Sequence, residues 1–258
     1  MELRTLASGS SGNCILISHS GGYILVDAGV SCRRIVTALR SAGVEPEALL
    51  GVCITHEHSD HIAGLATLTR HYGLPVYTSP GTARQLCYRM AGLEDLVRPM
   101  EPGSGAEAGP FLLGSFPTSH DAAQPMGFTF TAGGRKAAVV TDLGYVSDDV
   151  LDGVLGAQAV VCESNHDVEW LQSGPYPYYL KARILGDKGH LSNEAGAALA
   201  LQCAQAGAHT VVLAHLSAEN NTPQRALQTA QTALSAGGFD RVTLAVAPRS
   251  EPSPAYEV

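Results

Sequence analysis

Residues 55–64 read THEHSDHIAG and place His56, His58, Asp60 and His61 within a few positions of one another, directly after the apolar run Gly51–Ile54. Four ligand-type side chains so close together point to bound metal. Imidazoles at i and i+2 on an extended segment project to the same side, while Asp60 and His61 open the following helix and face back toward them. Such a cluster can serve two ions. Nitrogen and carboxylate donors together suit zinc, manganese or iron rather than calcium or magnesium alone. The zincin spacing HExxH is absent, and a solvated helix-opening turn has no need of three histidines.

Outward from this stretch, ELRTLA, NCILIS and GYILVDAG read as three short strands in an antiparallel meander, followed by a helix from Cys32 to Ala42. GVCIT is the strand that delivers the histidines. DHIAGLATLTRHYG carries Ile62, Leu65, Leu68, Thr69 and Tyr72 at helical spacing and stops at Gly73. A strand at LPVYTS, a helix over 81–90, and a Gly/Pro-rich surface loop from Met100 to Pro110 come next. FLLGSFPTS, GFTFTAG and KAAVVTDLG are three further strands. Helices near 147–155, from Ser192 to Ala206 and over 223–235 then alternate with strands QAVVCES, TVVLAHLS and VTLAV; a Tyr/Pro-rich stretch covers 174–180. Two strand-rich sections, each followed by helices, imply two sheets packed face to face with helices outside. The expected organisation is one globular domain over 1–248 and a flexible tail over 249–258.

The chain has 258 residues, 45% of them hydrophobic, and a formal net charge of −8. That balance argues against nucleic-acid binding through a broad basic face. It does not exclude a nuclease, because bound divalent ions place positive charge where substrate phosphates sit. The cysteines are widely spaced without a CxxC pair and read as reduced, buried residues. With no apolar leader and no stretch near the roughly 20 apolar residues of a membrane span, the expected location is cytoplasmic, with no membrane partner.

His120, Asp142 and His215 each end a strand-like run, in TSHDAA, VVTDLG and VVLAHLS. Polar residues at strand ends are where α/β folds collect their chemistry. Singly, each has an ordinary explanation as a capped turn or a hydrogen-bonded rim residue. Together with the first cluster they make a set of five histidines and two aspartates.

This set resembles the metallo-β-lactamase superfamily, whose HxHxDH motif is met by His56, His58, Asp60 and His61, with His120, Asp142 and His215 following in order. The resemblance spans nearly the whole chain and implies an α/β (α+β) fold, a four-layer αββα sandwich. It implies that His56, His58 and His120 hold one ion, that Asp60, His61 and His215 hold the other, and that Asp142 bridges them. Asp27, in LVDAG, matches a structural aspartate that supports the metal loop. LASGSSGNC, SHDAAQPMGF, TDLGY, ESNHD, GHLSN and LAHLSAENN are similar to a finer YycJ/WalJ-like branch, related to metal-dependent exonucleases and tRNA-processing nucleases.

Two divalent ions sharing a water lower its pKa, present hydroxide to an electrophile and clamp phosphodiester oxygens. The resemblance therefore implies a dinuclear phosphodiesterase, most simply a 5′-to-3′ DNA exonuclease, using Zn2+ or Mn2+, with Fe a further option. DNA is favoured over RNA as substrate. Only 47 residues separate Asp142 from His190, too few for the inserted domain of RNA-maturing members. The rival is a thioester, lactone or β-lactam hydrolase on the same metals; a third reading is a metal-binding scaffold with a decayed site. Asp142 stands where several β-lactamases of the superfamily carry cysteine.

His190, before a helix that Ser192 would cap, is the candidate general acid. Asp60 adds a second proton-transfer candidate. Ser10 and Asn13 in the small-residue loop SGSSGN, Asn165 and His166 in ESNHD, and Ser192 and Asn193 in GHLSN are candidate substrate contacts. The SGSSGN loop serves equally as an ordinary hairpin turn, and Glu163, Asn165, His166 and Asp167 of ESNHD read equally as groups that support the metal ligands or touch substrate, or as plain loop polarity. Arg33, Arg34, Lys181, Arg183 and Lys188 are the cations offered to backbone phosphates.

Overall fold

The computed structural model describes residues 1–258. β1 (Glu2–Ala7), β2 (Cys14–His19) and β3 (Gly22–Val26) form the antiparallel meander. Ser20 and Gly21 turn the β2–β3 hairpin in left-handed conformations, φ 49° and 78°, a turn whose twist matches that of the strands. β4 (Leu49–Cys53), β5 (Val76–Thr78) and β6 (Val97–Pro99) extend the sheet in parallel. Between them run α1 (Cys32–Ser41), α2 (Ser59–Ile62), α3 (Leu65–Tyr72) and α4 (Pro80–Arg89).

The second sheet opens antiparallel with β7 (Gly105–Ala108), β8 (Phe111–Pro117), β9 (Met126–Ala132) and β10 (Arg135–Val140). It closes in parallel with β11 (Ala159–Glu163), β12 (Thr210–Ala214) and β13 (Thr243–Val246). α5 (Asp148–Val154), α6 (Val168–Ser173), α7 (Tyr178–Leu185), α8 (Asn193–Gln205) and α9 (Pro223–Ala236) lie in the crossovers. β11 and β12 are buried at every position, as parallel strands covered on both faces must be.

Ile17, Ile24 and Val26 of the first sheet share one core with Phe128, Phe130, Val139 and Val161 of the second, so the sheets stack face to face. Leu16 and Leu25 on the outer face pack with Ile35, Leu39, Leu68 and Leu86 of the first helical layer. Val160 and Leu213 pack outward against Val150, Leu199 and Ala230 of the second. The result is the four-layer αββα sandwich. Strands β3, β4, β10, β11 and β12 release their chains at one edge, where the ligand-type residues gather.

Four local expectations are corrected. The continuous helix from Asp60 to Tyr72 is broken at Ala63–Gly64, because the chain leaving β3 crosses there: a Cβ on Gly64 would lie 2.2 Å from the Val30 carbonyl oxygen, and the Gly64 N–H donates to the Ala28 carbonyl at 2.8 Å. The loop from Met100 to Pro110 contains β7, which Gly109 (φ 56°) folds back onto β8. The Tyr/Pro-rich stretch over 174–180 connects α6 to α7, whose first turn it forms, and both helices are too short for a periodic signal. The tail expected to be flexible over 249–258 is instead anchored: Tyr256–Glu257 forms β14, antiparallel to β1. The Ser253 hydroxyl accepts from the Thr5 N–H at 3.1 Å, and Val258 is buried.

Candidate metal centre

His56 and His58 lie on the loop after β4, and Asp60 and His61 on the first turn of α2. His120 follows β8, Asp142 follows β10, and His215 follows β12. Asp27, Asp142 and His215 share one backbone device: each leaves its strand in the left-handed region, at φ 60°, 61° and 57°. Such conformations cost non-glycine residues energy and persist where surrounding structure holds them. Here they turn three strand ends into the same cleft.

The ligand atoms form overlapping groups that each lie within 4.8 Å: His56, His58 and His120; His56, His61 and Asp142; Asp60, His61 and His215; and Asp142, Glu163, His190 and His215. Each buried imidazole of these groups has one nitrogen held from behind. Nδ1 of His61 meets the Asp27 carboxylate at 2.7 Å, Nδ1 of His120 meets the Gly189 carbonyl at 3.0 Å, and Nδ1 of His215 meets Glu163 at 2.8 Å. His56 Nδ1 lies 3.0 Å from the Thr55 hydroxyl. These partners fix each ring's tautomer and turn the other nitrogen inward.

Several of the inward atoms face one another rather than a complementary protein partner. His56 Nε2 and His58 Nδ1 face each other at 3.0 Å, and His120 Nε2 lies 3.3 Å from the same His58 nitrogen. Asp142 Oδ2 is buried without a hydrogen bond. Nitrogen lone pairs converging on an unpaired carboxylate oxygen are the donor chemistry of a divalent transition metal, and the residues fit such a group.

Charge follows the same geometry. Burial opposes ionisation of Asp60, yet His215 and His61 outweigh it and hold the carboxyl below its usual range. Asp142 is likewise lowered, by His215 and His61 acting against burial. His215 loses from burial but gains more from Asp142, Asp60 and Glu163, which push it up to about 10. His61 rises for the same reasons, with Asp142 and Asp27 as its anions. His56 falls well below its ordinary value through burial and through three neighbouring imidazoles.

His190 stands at the rim with its side chain 20% exposed, Nδ1 2.9 Å from Glu163 and 3.7 Å from Asp142. Ser192 caps α8 by accepting from the Ala195 N–H. Ser10 is exposed. Four proposed substrate contacts turn out to be buried. Asn13 is a loop strut, bonded to Gly9 and to the Asp60 carbonyl, with its amide 3.2 Å from His61 Nε2. Asn165 donates to the His215 carbonyl at 2.8 Å, and Asn193 accepts from Ser164 and Asn221. His166 is 1% exposed and neither ring nitrogen has a protein partner.

Three further residues brace the centre, and of these the sequence singles out only Glu163. Glu163, wholly buried, accepts from the Leu143 and Leu191 N–H groups with one oxygen and meets both His190 and His215 with the other. Its place at the end of the β11 run was the available clue. Glu57, between the two motif histidines, accepts from Thr82 and from the Ala123 N–H and so ties the metal loop to the segment after His120. Asp121 lies 3.4 Å from His120 Nε2 and pairs with Arg183 at 2.6 Å. Of the other cations, Arg34 donates to the Arg249 carbonyl and Lys181 to the Gln172 carbonyl.

This fold and donor set define a class. Residues 7–215 match the metallo-beta-lactamase superfamily, and the chain belongs to it. Within that superfamily it is 38% identical over 240 residues to the exodeoxyribonuclease YycJ of Bacillus anthracis, covering 93% of this chain and 91% of that one. It is 40% identical over 227 residues to the exodeoxyribonuclease WalJ of Streptococcus pneumoniae, covering 87% and 84%. The crystal structure of the metallo-beta-lactamase fold protein YhfI from Bacillus subtilis superposes with a TM-score of 0.73 at 18% identity over 99% of both chains, a likeness of fold. No helix is long and apolar enough to cross a membrane.

Proposed function

We propose that the chain is a single-domain, dinuclear metal-dependent phosphodiesterase acting on nucleic acid, a DNA exonuclease of 5′-to-3′ polarity. The observation that carries this reading is the pairing of His190 with Glu163 at the rim of the metal centre. It is supported by the exodeoxyribonuclease names of relatives that align along most of both chains. His56, His58 and His120 would hold one ion, and Asp60, His61 and His215 the other, with Asp142 between them. Zn2+ or Mn2+ suits these nitrogen and oxygen donors, and iron has the same preference. Bound there, the two cations supply an activated water and neutralise charge on the phosphodiester oxygens.

The chain's own residues do the rest. Glu163 takes the Nδ1–H of His190, which leaves Nε2 at the rim to donate a proton to the departing oxygen. Asp60, whose side chain is 22% exposed, stays ionised beside His215 and His61 and can orient an attacking water by accepting its hydrogen bond. Asp27, Glu57 and Asn13 keep the metal loop at its distance from the second sheet. A cytoplasmic location agrees with six free cysteines.

The test is to load the protein with Mn2+ or Zn2+ and offer 5′- and 3′-labelled single- and double-stranded DNA and RNA. Mononucleotides released from the 5′ end of DNA are the expected product. No cleavage of any nucleic acid, alongside turnover of a β-lactam, lactone or thioester, overturns the proposal.

A further inference from the structure

Four of the histidines that gather at the centre have a partner behind one nitrogen: Thr55 for His56, Asp27 for His61, Gly189 for His120 and Glu163 for His215. His58 is the exception. Its Nδ1 faces inward, 3.0 Å from His56 Nε2 and 3.3 Å from His120 Nε2, and both of its close contacts run through that nitrogen. Its Nε2 points away from the cluster, and Asp121 Oδ1 lies 3.9 Å from it.

Asp121 is held from its other side. Arg183 of α7 donates its Nε–H to Oδ2 at 2.6 Å, which leaves Oδ1 turned toward the imidazoles. His120 Nε2 is 3.4 Å from that oxygen, but the His120 ring gives its Nδ1–H to the Gly189 carbonyl and so brings Asp121 a lone pair instead of a donor. The donor that fits Oδ1 is the Nε2–H of His58. α7 itself is fixed to the same wall. The His190 N–H donates to the Ile184 carbonyl at 3.0 Å, the Gly144 N–H to the Ser119 carbonyl at 2.8 Å, and the Ser119 hydroxyl to the Asp187 carbonyl. A Cβ on Gly144 would lie 2.3 Å from the Asp187 carbonyl carbon, so only glycine allows this approach.

We propose that Asp121 is the positioning carboxylate of His58: set in place by Arg183, it keeps the ring proton of His58 on Nε2 and the Nδ1 lone pair turned toward the ion that His58 would share with His56 and His120. This role rests on the dinuclear reading of the centre and adds to it a residue outside the ligand set. A neutral imidazole has one N–H and one lone pair, and a carboxylate beside one nitrogen draws the proton to that side. Carboxylates placed behind ligating histidines fix the orientation of the ring and raise its basicity toward the metal. The present separation is longer than a hydrogen bond. Both side chains are 30% exposed, so a small turn of the His58 ring closes the gap. The ion at His56, His58 and His120 therefore depends on a side chain of α7, and the ion at Asp60, His61 and His215 does not.

The test uses the whole protein with Asp121→Ala, Arg183→Ala and both together. In the metal-free form at about pH 8, where an ordinary histidine is neutral, NMR of nitrogen-labelled histidine reads the His58 tautomer, its signals assigned by their loss in His58→Gln. The wild type carries the proton on Nε2, and Asp121→Ala shifts the population toward Nδ1–H. Titration with Co2+, followed by absorption, reads the two ions. Asp121→Ala weakens one of them on the order of tenfold and leaves the other unchanged; Arg183→Ala weakens the same ion, and the double variant is no weaker than Asp121→Ala alone. An unchanged tautomer or an unchanged Co2+ affinity in Asp121→Ala overturns the role of Asp121 while leaving the metal centre intact. If the tautomer is unchanged and the Co2+ spectrum loses a ligand, Asp121 is itself a ligand and the positioning role is refuted. Additive losses in the double variant overturn the part given to Arg183. A wild type that binds fewer than two Co2+ overturns the dinuclear reading, and the tautomer still decides the role of Asp121.

Discussion

Replacing Glu163 by glutamine changes no volume and removes one charge at the most connected buried side chain of the centre. One oxygen serves two backbone N–H groups, Leu143 at 3.2 Å and Leu191 at 3.0 Å. The other meets Nδ1 of His190 at 2.9 Å and of His215 at 2.8 Å. An amide has one oxygen. If it keeps the backbone pair, its NH2 group faces two Nδ1–H donors, and His215 escapes only by moving its proton to Nε2, the nitrogen it turns toward Asp60. If it keeps the histidines, two buried N–H groups lose their acceptor. Either way two hydrogen bonds to a charged group disappear, at about 1.5 to 3 kcal/mol each before relaxation. Metal affinity should fall about 10- to 100-fold, as when a partner holding a ligating histidine is removed. At saturating metal, kcat should still fall at least about 100-fold, because His190 loses the partner that orients it for proton donation. Equilibrium dialysis with elemental analysis measures the first effect, and single-turnover cleavage over a pH series measures the second. A Glu163→Gln protein that is folded, holds metal like the wild type and keeps kcat within about twofold with the same pH profile would refute this account of the Glu163–His190 pair.

Two further outcomes follow from the geometry. Gly29→Ala would set a Cβ 1.7 Å from the Asp60 carbonyl oxygen and 2.5 Å from the Asn13 nitrogen. It should cost about 3 kcal/mol in urea unfolding and weaken metal binding, and an unchanged midpoint would contradict the close approach. His166 is lowered to about 4, chiefly by burial. Its folded value lies below its unfolded one, so the unfolded chain gains a proton first, and stability falls as pH drops from about 6.5 toward 4, by roughly 3 kcal/mol at most. Denaturation at several pH values should therefore give a shallower acid loss for His166→Leu, and parallel curves would show that His166 does not titrate in this way.

The metal donors were legible because their signal is chemical and local. HxHxDH needs no tertiary information, and His120, Asp142 and His215 each end an apolar run that reads as a strand. The alternating and continuous apolar runs likewise gave the two sheets. What failed to show was whatever depends on chain segments far apart. In sequence Glu163 reads equally as a support to the ligands, a substrate contact or loop polarity, and β11 and β12 decide among these by bringing it between His190 and His215. Asn13, Asn165 and Asn193 looked like ligands for substrate, since a polar side chain in a loop reads the same whether it faces water or braces a neighbour. The final residues carried no strand pattern, and only the free edge of β1 makes Tyr256 and Glu257 extend.

The amino-acid order thus fixed which atoms are available to a metal and which runs must be buried, because donor chemistry and hydrophobicity belong to each side chain alone. Folding decided their direction. The left-handed turns at Asp27, Asp142 and His215, and the partner behind each imidazole, select which nitrogen points inward. That selection is made by packing between strands distant in the chain, and no local pattern encodes it.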